Sequence, residues 1–259
     1  MQYLDAFYRT HDEQERFTPQ SGQVEFLTTM RYIKKYLAPG SRILEIGAGS
    51  GRYSHALARE GFSVDAVELL DVNIEKIHET MTEGEPLRIF KGSALNLDFL
   101  EDSFYDIVLL LGPMYHLYEE TDKKRALNEA LRLTKRGGIL MTAYCMADSA
   151  ILMQAFIKNN AETLIENGLL NPVTFQTHSR PEDVFELYTI EDIDRLSETL
   201  PAKRMHLVSC DLSAMFLKNT IDNMDETAFD LYMRYHFTVC ERPDLIGAGN
   251  HTLDILKKE

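Results

Sequence analysis

A glycine-rich stretch early in the chain has the residue types and the spacing of a ligand-binding turn. Gly47, Gly49 and Gly51 occupy alternate positions, directly after a short apolar run and before a helix-like segment. Glycine lets the backbone approach a ligand without obstruction by side chains, and it adopts left-handed conformations at little cost. We therefore predict that Gly47, Ala48, Gly49 and Gly51 bind a cofactor.

Two carboxylates accompany this turn and indicate which kind of cofactor it takes. Glu45 lies just before the first glycine, where dinucleotide-binding strands usually carry an apolar residue. Glu68 ends the next predicted strand, where a carboxylate can accept hydrogen bonds from both hydroxyls of a ribose. A dinucleotide fingerprint also needs a third glycine where this chain has Arg52. The pattern therefore argues against a nicotinamide cofactor.

A third segment, Gly112 to His116, supplies candidates for chemistry on the second substrate. It follows a strongly apolar strand, and open α/β sheets bind ligands at the carboxyl ends of their strands. We therefore expect Tyr115 and His116 to be catalytic residues that line an acceptor pocket. His116 is predicted to take a proton from a hydroxyl or an amine, and the alternative is a structural histidine that caps the next helix.

Strands and helices alternate along the segments that carry these residues. The predicted strands are 42–46, 63–69, 87–91, 105–111 and 138–144, and the predicted helices are 23–37, 53–60, 73–81 and 121–134. Continuous apolar strands such as 106–111 indicate burial on both faces, as in a parallel sheet covered by helices. The pattern predicts a doubly wound, mostly parallel α/β fold.

Two longer segments interrupt this alternation after Cys145. The pattern there predicts a long helix over 148–168, a polar loop or cap over 171–186, a helix over 190–199, a strand over 204–210, a helix over 221–237 and a last strand over 251–256. We predict an N-terminal helical segment over 1–40 and one domain over 41–259. Segments 148–188 and 213–249 would be helical cap insertions, because they are too apolar for disorder.

Composition and charge exclude several other classes of function. The formal net charge of −14 repels a phosphate backbone, so no nucleic-acid partner is expected. No apolar run approaches the about 20 residues that span a membrane, and the first residues lack the order of a secretory signal. We therefore expect a soluble, cytoplasmic protein. The three cysteines are widely spaced and no ligand set recurs at metal-binding intervals, so no metal centre is expected.

Together these motifs resemble the class I S-adenosylmethionine-dependent methyltransferases, in particular their broad bacterial type 11 subgroup. The motifs that carry the resemblance are Ile43-Leu-Glu-Ile-Gly-Ala-Gly-Ser-Gly-Arg-Tyr53, Glu68, Leu109-Leu-Leu-Gly-Pro-Met-Tyr-His-Leu117, Arg136-Gly-Gly-Ile-Leu140 and Pro243-Asp-Leu-Ile-Gly-Ala-Gly-Asn-His251. The resemblance implies a seven-stranded Rossmann-like sheet with a reversed hairpin at its end. It also implies that S-adenosylmethionine is the cofactor.

The resemblance further implies roles for individual residues. It assigns Gly47, Ala48 and Gly49 to the methionine part of the cofactor, with Glu45 ordering the turn. The backbone carbonyls of Leu111 and Gly112 would accept hydrogen bonds from the methionine ammonium. Glu68 would hold the ribose, while Leu69, Ser93 and Ala94 would contact the adenine. Many members have Asp where this chain has Ser93, so a hydroxyl without charge would act there.

We therefore expect a methyltransferase that acts on an oxygen or nitrogen atom of a small molecule. Transfer from a sulfonium needs in-line positioning and exclusion of water, which cap insertions would provide. The alternatives are a protein or nucleic-acid methyltransferase and a non-catalytic S-adenosylmethionine-binding module. Gly112 stands where the Asn-Pro-Pro-Tyr motif of amino-group methyltransferases has its Asn, which disfavours that class.

Overall fold

A seven-stranded sheet forms the centre of the protein. The computed structural model describes residues 2–10 and 17–259. The strands are β1 (Arg42–Ile46), β2 (Ser63–Glu68), β3 (Leu87–Lys91), β4 (Tyr105–Leu110), β5 (Thr134–Cys145), β6 (Ala202–Ser209) and β7 (His251–Lys258). They pair in the order β3-β2-β1-β4-β5-β7-β6, and only the pairings of β7 are antiparallel. The predicted mostly parallel sheet with a reversed final hairpin is confirmed.

Helices connect the strands and cover the sheet. They are α1 (Gln2–Thr10), α2 (Gln20–Tyr36), α3 (Arg52–Arg59), α4 (Asp71–Thr80), α5 (Glu120–Leu133), α6 (Ala147–Ile151), α7 (Ala161–Glu166), α8 (Ile190–Ser197), α9 (Lys218–Asp222) and α10 (Glu226–Val239). Short 3₁₀ turns lie at Pro113–His116, Pro181–Asp183 and Ile246–Ala248, and a π-helical turn at Leu152–Ile157. Within the described residues, no helix is both long enough and apolar enough to cross a bilayer.

The central strands are buried on both faces, as their apolar sequences predict. Along β4, Ile107 and Leu109 pack into one apolar core, whereas Val108 and Leu110 pack into another. Successive side chains of a strand point to opposite faces of the sheet, so the two cores lie on its two sides. Helices on each side are therefore needed to complete the fold.

The strand directions determine which residues meet at the edge that carries the site. The parallel strands β1 to β6 all end at the same edge. Because β7 runs the other way, its first residue, His251, lies at that edge and pairs with Cys145 at the end of β5. Asp211 follows the end of β6 and lies there too. This carboxyl edge brings together residues that are far apart in the sequence.

The predicted single helix over 148–168 is wrong. The chain forms α6, then the π-helical turn, and then the separate helix α7. Asn159 between them has a φ of 53°, in the left-handed region. Asparagine tolerates this conformation better than most residues, and a left-handed residue ends a right-handed helix. The result is a folded-back segment with several short elements.

The helix predicted over 221–237 is also divided, into α9 and α10. Asp225 begins the second helix, because its carboxylate accepts a hydrogen bond of 2.8 Å from the backbone N–H of Ala228. A side-chain cap of this kind satisfies an N–H group at the start of a new helix. The N-terminal segment predicted over 1–40 contains α1 and α2, while residues 1 and 11–16 lie outside the described residues. Its boundary at residue 40 stays a prediction.

A buried ion pair joins the last two strands of the sheet. Arg204 of β6 donates to both carboxylate oxygens of Asp254 on β7, at 2.7 and 3.0 Å. The Asp254 side chain is 1% exposed, whereas Asp194, which also pairs with Arg204, is 44% exposed. Burial raises the pKa of Asp254, and Arg204 opposes that effect. The pair therefore holds the hairpin whose ends carry Asp211 and His251.

We predict that Asp254→Ala lowers the free energy of unfolding by about 3–5 kcal/mol, because it removes the buried partner of a partly buried guanidinium. Asp194→Ala is the matched control and should cost at most about 1 kcal/mol, because the Asp194 carboxylate is exposed to solvent. Urea unfolding followed by circular dichroism measures both values. Equal losses in the two variants would contradict a special contribution of the buried pair.

Candidate active site

The glycine turn after β1 adopts a backbone path that its glycines make possible. Gly47, Gly49 and Gly51 have φ values of 73°, 56° and 82°. Side chains other than glycine rarely adopt such angles. The N–H groups of Gly47 and Ala48 both donate to the carbonyl oxygen of Val67 at the end of β2, at 2.8 and 3.1 Å. Gly51 then starts α3. The end of β2 therefore fixes the shape of the turn.

The space around the turn differs between its glycines. A Cβ on Gly47 would lie 2.6 Å from Cδ of Pro113, so this glycine allows the turn to pack against the loop after β4. A Cβ on Gly112 would lie 3.1 Å from the carbonyl oxygen of Gly47, which makes the approach close from both sides. A Cβ on Gly49 would meet no atom within 4 Å. Gly49 therefore leaves room beside the turn that a ligand can fill.

Glu45 lies beneath the turn as a buried carboxylate. Its side chain is 2% exposed, and Ser54 at the start of α3 donates a short hydrogen bond to it. Burial raises the pKa of Glu45 to about 8, with a further contribution from the nearby Glu68. A carboxyl group with such a raised pKa loses its proton and becomes negatively charged when a cation binds beside it.

Glu68 is joined directly to the turn. One carboxylate oxygen accepts a hydrogen bond from the N–H of Gly49 at 2.8 Å, and the other accepts from the N–H of Leu70 at 2.9 Å and from the amide of Asn73 at 3.4 Å. Burial raises the pKa of Glu68, and these donors oppose that effect. An ionised carboxylate has about four acceptor positions, so the oxygen facing Gly49 can accept a further donor.

A partly open cavity of about 600 Å³ lies beside the turn. The predicted site residues that line it are Glu45, Gly47, Ala48, Gly49, Leu111, Gly112 and Tyr115. The structure thus brings together the end of β1, the turn and the loop after β4. A cavity of this size suits a cofactor or a small substrate.

Other predicted residues lie at the same edge but not in the cavity wall. Leu69, Ser93 and Ala94 follow the ends of β2 and β3, on the far side of Glu68. The N–H of Gly92 donates to the carbonyl oxygen of Glu68 at 2.9 Å, so the two strand ends are adjacent. The residues predicted to contact adenosine therefore lie next to the cavity, outside its wall. Glu68 and Gly51 are likewise outside its wall.

His116 is not placed where the sequence predicts it. Its Nδ1 lies 2.8 Å from the carbonyl oxygen of Val184, and its Nε2 lies 3.0 Å from the hydroxyl of Tyr8. Burial lowers the pKa of His116, and the side chain is not part of the cavity wall. Both ring nitrogens are thus used to hold α1 and the loop before Phe185 together. His116 thus contacts Tyr8, which is a residue of the cavity wall, but does not itself line the cavity, and its catalytic role stays a prediction.

The structure instead brings a different histidine to the cavity. Nδ1 of His251 lies 2.9 Å from Oδ2 of Asp211 and 3.2 Å from Oε2 of Glu25. All three residues are buried. One side-chain nitrogen or oxygen atom from each lies within 4.8 Å of the other two, and the histidine contacts both carboxylates directly. The residues belong to three distant parts of the chain, so no local motif could reveal the group. His251 ends a quoted motif, but that motif gives it no role.

Three further parts of the chain contribute to the wall, beside residues at the start of α3 and at the ends of β5 and β6. Segment 148–188, named here the cover segment, contributes apolar and polar groups, including Ile151, Met153, Leu164, Leu169, Leu170, His178 and Phe185. Segment 213–249 contributes Met215. The N-terminal region contributes Tyr8, Phe17, Glu25 and Thr29, which the sequence pattern does not indicate. The two insertions predicted from sequence therefore differ greatly in their contact with the cavity.

Comparison with known proteins identifies the domain to which the turn belongs. Residues 43–138 match a family model described as a methyltransferase domain. The ubiquinone/menaquinone biosynthesis C-methyltransferase of Legionella pneumophila (strain Corby) is 31% identical over 112 residues, which cover 41% of this chain and 43% of that protein. A protein of Methanosarcina acetivorans, named as a probable ribosomal RNA small subunit methyltransferase A, is 36% identical over 124 residues. These residues cover 46% of this chain and 43% of that protein. The chain thus spans under half the length of these relatives.

Solved structures share the architecture along the whole chain. A S-adenosylmethionine-dependent methyltransferase from Thermotoga maritima aligns with a TM-score of 0.55 and 18% identity, covering 100% of both chains. The likeness at this identity concerns the fold, while the family match covers the glycine turn, Glu68 and β4. Residues 43–138 thus resemble a methyltransferase domain, and the chain as a whole shares its fold with S-adenosylmethionine-dependent methyltransferases of known structure.

Proposed function

We propose that the protein transfers the methyl group of S-adenosylmethionine to an oxygen or nitrogen atom of a small molecule in the cytoplasm. The observation that carries this proposal is that the wall of one cavity includes both the glycine turn with Glu45 and the side chains of Tyr115 and His251. A donor and an acceptor can therefore lie in contact within it. S-adenosylmethionine supplies an electrophilic methyl group on a sulfonium, so positioning and exclusion of water are the main requirements.

The residues around the turn fit the shape and charge of this cofactor. The open space beside Gly49 accepts its methionine part, and the carbonyls of Leu111 and Gly112 accept hydrogen bonds from its ammonium. Glu45 supplies a negative charge to the cationic end of the cofactor from beneath the turn. Glu68 offers its remaining acceptor position to the ribose. Leu69, Ser93 and Ala94 form the surface against which the adenine packs. The cofactor would thus lie across the ends of β1, β2 and β4.

The cover segment supplies the apolar part of the proposed acceptor pocket. Side chains such as Ile151, Met153 and Leu170 face the cavity, and Phe185 lies close to α1 through its ring contact with Phe7. Apolar walls exclude water from the reacting atoms. We propose that segments 148–188 and 213–249 act as cap insertions, and that the first provides most of the contact with the acceptor.

Charge favours a small acceptor over a nucleic acid. The cavity wall carries the carboxylates Glu25, Glu45 and Asp183, and the chain has a net charge of −14. Phosphate groups would be repelled from such a site. The relative named as a ribosomal RNA methyltransferase keeps a nucleic-acid acceptor as the main alternative, followed by a protein acceptor and by a non-catalytic module that binds S-adenosylmethionine.

The first test follows the methyl group. We expect that S-adenosylmethionine labelled in its methyl group transfers label to the low-molecular-mass fraction of an extract of the source organism. Filtration, RNA precipitation and protein precipitation separate the three acceptor classes, and scintillation counting measures each. Label confined to RNA or to protein would support the alternatives instead. Cofactor binding without any transfer would support the non-catalytic module.

The second test concerns the space beside the turn. Gly49→Val should abolish binding of S-adenosylhomocysteine, because the side chain fills the room that the cofactor needs. Gly84→Val is the matched control: Gly84 has a φ of 84°, and a Cβ there also meets no atom within 4 Å. Both substitutions should cost about 1–3 kcal/mol of stability through backbone strain. Isothermal titration calorimetry should show lost affinity in the first variant alone, and equal affinity in both would contradict the placement.

The third test uses the pKa of Glu45. Because its pKa is about 8 in the folded protein and 4.5 ordinarily, the folded state binds more protons between these pH values. Folding stability from this group is therefore lost as the pH rises from about 4.5 to 8. Glu45→Gln removes this loss. The free energy of unfolding of the variant, measured relative to that of the unsubstituted protein, should therefore increase as the pH rises through that range.

The same variant should bind S-adenosylhomocysteine and S-adenosylmethionine more weakly, because the negative charge beneath the turn is gone. Urea unfolding at a series of pH values measures the first effect, and calorimetry measures the second. Parallel stability curves for the two proteins would show that Glu45 keeps an ordinary pKa. Unchanged affinity for both cofactor forms would remove Glu45 from the site.

A further inference from the structure

The proposed function leaves the proton of the acceptor to be accounted for. A hydroxyl or an amine that reaches the cavity protonated must lose that proton when it gains a methyl group. His116 lies outside the cavity wall, with both ring nitrogens engaged. The wall at the acceptor end does include His251, at the start of β7. His178 of the cover segment also lines the wall but is exposed to solvent, so His251 is the buried histidine in position to contact an acceptor.

Asp211 holds the imidazole of His251 in a fixed orientation. Oδ1 of Asp211 accepts hydrogen bonds from the backbone N–H groups of Asn250 and His251, at 2.8 and 3.1 Å. This leaves Oδ2 facing Nδ1 of the ring, at 2.9 Å. An ionised carboxylate only accepts hydrogen bonds, so Nδ1 carries the hydrogen. The basic position of the neutral ring is then Nε2, which the amide nitrogen of Asn250 approaches to 3.1 Å, so an acceptor that bonds to Nε2 takes the place of that amide.

We propose that His251 is the catalytic base of this enzyme and that Asp211 positions it, an inference that rests on the proposed function. The acceptor is an apolar molecule that presents one hydroxyl or amine to Nε2, since Tyr115 packs against His251 and the wall of the same cavity includes Leu111, Ala143 and Phe185. As the acceptor atom bonds to the methyl carbon, the carbon–sulfur bond breaks and its electron pair remains on sulfur. The acceptor proton passes to Nε2 and later leaves to water.

The groups packed around His251 favour its protonated form, which this step produces. Glu25 faces it from α2, Asp211 from the turn after β6, Cys145 from β5 and Tyr115 from the loop after β4. Burial lowers the pKa of His251, but the two carboxylates outweigh that effect and raise it well above its ordinary value. A ring with a raised pKa is a stronger base, and it acts only where the pH leaves it neutral.

The direction of the pH dependence follows from this requirement. The rate of methyl transfer should increase as the pH rises through the pKa of His251. Asp211→Asn removes one of the charges that raise this pKa, so the rising limb should move to lower pH. Its maximal rate should also fall, because the ring is held less firmly. A purely structural Asp211 would lower the rate without moving the limb.

The experiment measures label transfer from S-adenosylmethionine to the low-molecular-mass acceptor fraction over a pH series. His251→Gln should lower kcat by roughly 10²–10⁴-fold, the usual contribution of a positioned base, with little change in KM. Its affinity for S-adenosylhomocysteine should equal that of the unsubstituted protein, which shows that the variant is folded. His206→Gln is the matched control, because His206 also pairs with a carboxylate, Glu241 at 2.8 Å, but lies outside the cavity wall.

The outcomes separate this inference from the function on which it rests. Absence of transfer by the unsubstituted protein overturns both. Transfer that persists in His251→Gln with an unchanged pH profile overturns the role of His251 alone. Transfer that is lost with EDTA and restored by Mg²⁺ or Mn²⁺ also overturns it, because the group of Glu25, Asp211 and His251 would then act through a cation. A rising limb of the pH profile that stays at the same pH in Asp211→Asn overturns the positioning role of Asp211.

Discussion

The end of β2 holds the glycine turn of its neighbour β1, and the rest of the site depends on this contact. Three consecutive N–H groups of the turn, those of Gly47, Ala48 and Gly49, all bond to β2: the first two to the carbonyl of Val67 and the third to the carboxylate of Glu68. Backbone donors left unpaired in such a buried place would be costly. The turn therefore keeps one shape, and the cavity beside it is already formed.

Two buried carboxylates are part of this arrangement, and they do not favour folding. Burial raises the pKa of both Glu45 and Glu68, which means that their charged forms are disfavoured in the folded protein. Residues that only served stability would not be selected at such positions. A cationic cofactor would compensate these charges, so the cost is consistent with a binding role. The site thus carries locally unfavourable groups at the edge of a sheet whose central strands are mostly apolar.

The sequence predicts the cofactor side of the fold well because that side is local. β1, its turn, α3, β2 and Glu68 follow one another within a short stretch, so apolar periodicity and glycine spacing are enough to locate them. The helix over 148–168 is mispredicted because apolar residues occur on both sides of Asn159, whose left-handed backbone separates two short helices. The surroundings of His116 are equally hard to predict, since Tyr8 and Val184, which contact its ring, are distant in sequence.

The acceptor side of the cavity is assembled in the opposite way, from distant residues. Glu25, Asp211 and His251 come from α2, the turn after β6 and β7, and the antiparallel placement of β7 is what brings His251 to the carboxyl edge. The family match over 43–138 includes the turn, Glu68 and β4, but ends before the cover segment and before two of these three residues. Relatives with different acceptors can therefore share the matched segment. The residues proposed to bind the methyl donor thus lie in a local motif, whereas those proposed to contact the acceptor meet only in the folded chain.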